Sequence, residues 1–168
     1  MTRTYATLTG SSIIAAAAIA NTETVVASYS ATALFMEAGT SFAIRAYGRL
    51  TTGATGGSSI FRCRIGTTTL TGNIPATLTI ANAALVTGAP FKVDIVVTIR
   101  TAGSGGTAIG NVSVSGGVTG AFTVVADVSA ISATVVVDTT AAKLVEFTYI
   151  SGNAGSTATF ENATISLE

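Results

Sequence analysis

The sequence predicts an all-β protein: an antiparallel two-sheet β-sandwich of jelly-roll type with about ten strands. Three observations carry this. Apolar and polar residues alternate with a period of two along several segments, as they do on strands with one buried face. Thr and Val, which favour extended backbone, and Gly and Ser, which favour turns, dominate a composition with 18 Gly and 2 Pro. Gly-rich clusters separate the alternating segments, and no segment carries a convincing helical stripe.

Residues 41–72 are the stretch around which the rest is arranged. Phe42, Ile44, Ala46, Gly48 and Leu50 alternate with Ala43, Arg45, Tyr47 and Arg49. Beyond a Gly/Ser/Thr loop at 53–59, Phe61, Cys63 and Ile65 alternate with Ile60, Arg62 and Arg64. The pattern reads as a long antiparallel hairpin with one apolar face and one arginine-bearing face.

In chain order, residues 1–10 read as an N-terminal arm and 11–168 as a single domain. The arm either docks on a neighbour or a larger partner, or is a frayed end. Residues 11–20 are Ala-rich without a helical stripe and are taken as a first strand. The run IIAAAAIA ends in Ala18-Ile19-Ala20 with Arg3 upstream, which mimics a secretory signal. The long Thr-rich lead and the mostly Ala run argue against one.

Residues 23–30 form a short strand, and 35–39 link it to the central hairpin through Gly39. Segments 67–72 and 77–81 read as strands around a turn at 73–75, where Pro75 marks an edge or a loop because it cannot donate to a ladder. Residues 91–101 are the clearest strand, with Phe91, Val93, Ile95, Val97 and Ile99 on one face. Burying those five contributes roughly 8–15 kcal/mol before entropy is subtracted. AGSGG at 102–106 turns the chain into a partner strand at 108–115. After a glycine turn at 116–120, strands are expected at 122–128, 134–138, 142–151 and 157–167, with GNAGS at 152–156 linking the last two.

Charged residues are only 10% of the chain, and the 8 basic and 8 acidic side chains cancel. Such a surface repels its own copies weakly, which favours assembly. Nucleic acid is not expected as a partner, since phosphate binding needs clustered Lys and Arg. The one concentration of positive charge is Arg45, Arg49, Arg62 and Arg64. It reads as a solvated or interface face, with a phosphate or anionic-sugar site as the alternative. Cys63 is the single cysteine, so no internal disulfide forms; it reads as a small buried hydrophobe. No run approaches the roughly 20 apolar residues of a membrane helix, so no membrane partner is expected.

There is no histidine, which removes the commonest general base and metal ligand together. Glu23, Glu37, Asp94, Asp127, Asp138, Glu146, Glu161 and Glu168 are scattered singly, and no calcium-loop pattern occurs. The glycine clusters precede neither a helix nor a Lys-Ser/Thr pair and are turn makers. Catalytic, cofactor-binding and metal sites are therefore not expected, nor is enzyme activity. Tyr29, Tyr47 and Tyr149 are the rings that could serve a sugar, and nothing in the sequence marks them as a cluster. Asn111 and Asn162 fit the glycosylation pattern at the chance level of a Thr/Ser-rich chain.

The segments GRLTTG…FRCRIGTTTLTG, FKVDIVVTIRTAGSGGTAIGNVSVSG and VVVDTTAAKLVEFTYISGNAGSTATFENATISLE resemble a recurring type of tailed-bacteriophage virion protein. In that type a small jelly-roll domain, similar to tumour-necrosis-factor and complement-type trimers, forms homotrimers used as head decoration (cement) proteins, head fibres or fibre tips. The resemblance covers roughly residues 13–168. It implies a capsid decoration protein at the virion surface, with copies of itself and the major capsid protein as partners. The alternative it leaves is a fibre tip or adhesin module that recognises a host glycan.

Overall fold

The computed structural model describes residues 5–7, 14–16, 22–116 and 128–168. Their strands are β1 (Tyr5–Thr7), β2 (Ile14–Ala16), β3 (Glu23–Ala31), β4 (Ser41–Thr51), β5 (Ser58–Gly66), β6 (Asn73–Ala81), β7 (Ala89–Thr101), β8 (Thr107–Gly116), β9 (Val128–Ile131), β10 (Val135–Val136), β11 (Lys143–Ser151) and β12 (Thr157–Leu167). A single 3-10 turn, Ala33–Phe35, is the helical element among the described residues.

The strands form two antiparallel sheets. The larger has the order β1–β12–β4–β7–β8–β10, with β2 also on β12 and β9 on β8; the smaller is β3–β11–β5–β6. With β1 and β2 as the first strand, and β8–β10 as an addition after β7, the order is that of a jelly roll. The first strand neighbours the last in the larger sheet, and the second neighbours the second-to-last in the smaller. The expected sandwich is therefore the observed one.

The expected hairpin of 41–72 is not. β4 lies between β12 and β7 in the larger sheet, while β5 lies between β11 and β6 in the smaller. Residues 52–57 carry the chain from one sheet to the other. Both strands bury the faces the alternation predicts, but those faces meet across the sandwich instead of lying side by side. Alternation states which face of a strand is apolar; it is silent on which strand lies beside it. Gly48 shows the consequence locally: a Cβ there would collide with the carbonyl oxygen of Thr159 on β12. β12 bulges between Phe160 and Asn162 at this level, so the glycine answers to a partner that lies far along the chain.

Other boundaries move less. Residues 67–72 are a tight turn instead of a strand, with Leu70 in the left-handed region at φ 58°. The expected turn at 73–75 opens β6. That strand is the edge of the smaller sheet, which is where Pro75 can be accommodated. Of 134–138 only Val135–Val136 is strand, and 122–127 lie outside the described residues. AGSGG does turn β7 into β8, with Gly103 at φ 106°.

The core fills the space between the sheets. Phe42, Ile44, Val93, Ile95, Val97 and Ile99 of the larger sheet face Phe61, Cys63, Val145 and Phe147 of the smaller. An aromatic cluster centres on Phe160. Its ring meets those of Phe91, Phe147 and Tyr149 edge-on, with centroids 5.4, 5.5 and 5.6 Å away. Phe61 completes the group, 5.8 Å from Phe91 and 5.4 Å from Tyr149. Edge-to-face contacts at these distances add to burial because the ring edge is electropositive and the face electronegative.

Candidate interaction surfaces

The four arginines do not share a face. Arg45 and Arg49 lie on the outward side of the larger sheet, and Arg62 and Arg64 on the outward side of the smaller, so the sandwich separates them. Each has an acidic partner from elsewhere in the chain. Arg49 donates to Glu161 at 2.6 Å. Arg45 stands 3.9 Å from Asp94 and 4.0 Å from Glu168, with its side chain 70% exposed. The expectation of one concentrated positive face is thus corrected: strands adjacent in sequence belong to different sheets.

On the smaller sheet the ion pairs are tighter. Glu23 opens β3, Arg62 and Arg64 are outward residues of β5, and Thr148 is an outward residue of β11. The sheet order β3–β11–β5 brings them together. Arg64 holds both carboxylate oxygens of Glu23, Nε at 2.7 Å from Oε1 and Nη2 at 2.6 Å from Oε2. Arg62 donates at 3.3 Å, and the Thr148 hydroxyl donates at 2.5 Å. Burial pushes the Glu23 carboxyl up. The bonds from Arg64 and Thr148, with the charges of Arg64 and Arg62, outweigh it and hold the group below its ordinary value.

Glu146 faces the same way from β11 and is 1% exposed, because the 67–72 turn covers it. Its Oε2 accepts the Leu70 N–H at 2.8 Å. Sequence gave no sign of this, since Glu146 sits in the outward register of its strand like any solvated acid.

Cys63 lies beneath this face, fully buried, with its Sγ donating to the Arg64 carbonyl at 3.8 Å. Burial raises the thiol, and the Glu146 carboxylate raises it further. We expect Cys63 to resist an aromatic disulfide reagent in the folded protein and to react stoichiometrically in denaturant. Rapid native labelling would show that the smaller sheet opens.

One end of the sandwich is closed by three loops, 52–57, 82–88 and 152–156, which contain no charged residue. They are bonded to one another. The Thr52 hydroxyl donates to Ala83 O at 2.7 Å and accepts from Val86 N–H at 3.0 Å. The Leu85 N–H reaches Gly53 O at 3.0 Å, and the Ser156 hydroxyl reaches Gly56 O at 2.6 Å. Below them Ser59 donates to Asn82 Oδ1 at 2.8 Å and stands 3.0 Å from the Tyr149 hydroxyl, which supplies that bond's proton. Leu85 projects from this cap, 77% exposed and in the left-handed region at φ 55°.

The remaining expectations fall as follows. Tyr149 is in the core, Tyr29 is half-buried against Phe42, and Tyr47 is exposed, so the three rings do not gather. Of the acids, Glu23 and Glu146 share the outward face of the smaller sheet. Among the described residues no group of three or more His, Cys, Asp or Glu could hold a metal ion, and no helix is long and apolar enough to cross a membrane. Residues 5–7 of the arm pair with β12, and 14–16 are extended on the same strand; the rest of 1–21 lies outside the described residues, apart from these.

No family model and no curated protein matches the chain. Among solved structures it is similar to a protein of unknown function from Shewanella oneidensis MR-1, at 12% identity and a TM-score of 0.42, over 92% of this chain and 68% of that one. It is also similar to a chain in the structure of the infectious bursal disease virus Gx strain, at 16% identity and a TM-score of 0.27, over 99% of this chain and 42% of that one.

Proposed function

We propose that the chain is a non-enzymatic structural protein of a phage virion, a homotrimer that decorates the head and stabilises the shell. The loop cap is the observation that supports it best. Its backbone groups bond within the cap, it carries no charge, and it presents Leu85 as a rigid apolar knob. A surface fixed before binding loses little conformational freedom on docking, and an apolar anchor ringed by small neutral residues suits a protein surface. The major capsid protein is the partner in this proposal, with residues 1–10 as a second contact. Bound copies stabilise the shell by mass action across its joints.

The separation of the arginines onto opposite faces, each beside an acid, also weighs against phosphate or nucleic-acid binding. A glycan platform has less support, since Tyr47 is the one of its three rings left exposed.

The test is binding to emptied heads of the parent phage. Wild-type protein is expected to assemble in multiples of three by native mass spectrometry and to saturate the heads. Leu85→Asp should keep the trimer and lose binding by about tenfold or more, the effect of removing a buried anchor. Unchanged binding by both Leu85→Asp and a variant lacking residues 1–10 rejects these contacts. An absence of wild-type binding rejects the decoration role.

A further inference from the structure

We propose that the outward face of the larger sheet is a second, two-fold self-association surface, on which β4 of one copy stacks over β7 of another. The proposal is independent of the head-binding reading and rests on the register of these two strands. β4 and β7 pair directly, setting Ala43 beside Val96, Arg45 beside Asp94, and Tyr47 beside Lys92. All six lie in the outward register, but Ala43 is itself only 4% exposed, so Val96 supplies the apolar surface at that level.

A half-turn about an axis in the contact plane, parallel to the strands and midway between them, exchanges the two columns. Each residue of β4 then faces the β7 residue of its own level in the other copy. Arg45 meets Asp94 and Tyr47 meets Lys92, each twice, and the exposed Val96 of each copy lies over the Ala43 level of the other. An ion pair, a cation over a ring and an apolar contact form together, and no like charges oppose one another at these three levels. Sequence could not show this, because it depends on which strand lies beside β4.

The exposures agree. Val96 is 43% exposed in the middle of a sheet face and Tyr47 is 50% exposed, which are large apolar groups for such positions. Arg45 is 70% exposed and stands 3.9 Å from its own Asp94, a looser contact than the 2.7 Å at which Lys92 holds that carboxylate. The face is also large enough. Four strands about 4.8 Å apart and about ten residues long at 3.3 Å cover about 600 Å² per copy, or about 1,200 Å² in all, the lower bound of a stable interface.

The test is sedimentation equilibrium with native mass spectrometry over a wide range of concentration. Wild-type protein should form even-numbered assemblies: dimers, or hexamers if the three-fold contact also forms. Arg45→Asp and Asp94→Arg should each raise the dissociation constant of the two-fold step by about tenfold or more, since each sets like charges opposite at two places. The double exchange should restore it toward the wild-type value. Val96→Lys, which leaves the ion pairs intact, should also dissociate the pair. Circular dichroism and denaturant midpoints confirm that these surface variants fold. Wild-type monomers or trimers alone, single exchanges without effect, or a double exchange as weak as either single, each overturn the proposal.

Discussion

Phe160→Ala is expected to destabilise the protein by about 3–5 kcal/mol, the range for removing a buried aromatic ring. Phe160 is 1% exposed and is the ring that Phe91, Phe147 and Tyr149 all meet. Its loss removes apolar burial and three edge contacts, and leaves a cavity between sheets that the ladders hold apart. The site cannot collapse easily, because Phe160 sits beside the bulge where β12 is already fitted to Gly48. A domain of this size shifts its melting point by about 2–4 °C per kcal/mol, so a fall of about 10 °C is expected. Urea unfolding measures it directly. A change below about 1 kcal/mol, the scale of surface substitutions, would mean that the cluster does not hold the sheets together.

The second large effect lies outside the core. Glu23→Ala is expected to cost about 3 kcal/mol, because it strands two partly buried guanidinium groups, of Arg62 and Arg64, without their shared carboxylate. The same group gives the protein an acid sensitivity. The Glu23 carboxyl titrates below its ordinary 4.5 when folded, so the unfolded chain takes up the proton first. The stability it contributes is complete above about pH 4.5 and is lost as pH falls through the lowered folded value. Glu23→Gln should therefore be less stable than wild type at neutral pH, and the gap should narrow toward pH 3. Parallel stability curves for the two proteins across that window would show that Glu23 is not the group responsible.

The class of fold was legible because each long strand declares its buried face on its own. Phe91, Val93, Ile95, Val97 and Ile99 read as one face before any partner is known, and all are buried. What pairing decides was not legible. Strands β4 and β5 look like a hairpin from their sequence and belong to different sheets, because a buried face is satisfied equally by a neighbour or by an opposing layer. Everything that depends on pairing was lost with it: the separation of Arg45 and Arg49 from Arg62 and Arg64, and the Glu23–Arg64 bond across 41 positions. Tyr47 beside Lys92 is hidden for the same reason. The loops at 53–59 and 152–156 were legible from their glycines, but not 82–88, nor that the three meet at one end.

The place of β12 governs how synthesis and folding are ordered. This strand lies inside the larger sheet, with β1 and β2 on one side and β4 on the other, and it carries Phe160. A nascent chain emerging at about 5–20 residues per second has β4 and most of the aromatic cluster exposed for several seconds before residue 167 leaves the ribosome. Until then β4 has no neighbour on that side and the hydrophobic layer has no Phe160. Completion must come in a late, concerted step, and a ribosome stalled before residue 157 would hold an unclosed, adhesive intermediate that chaperones must shield.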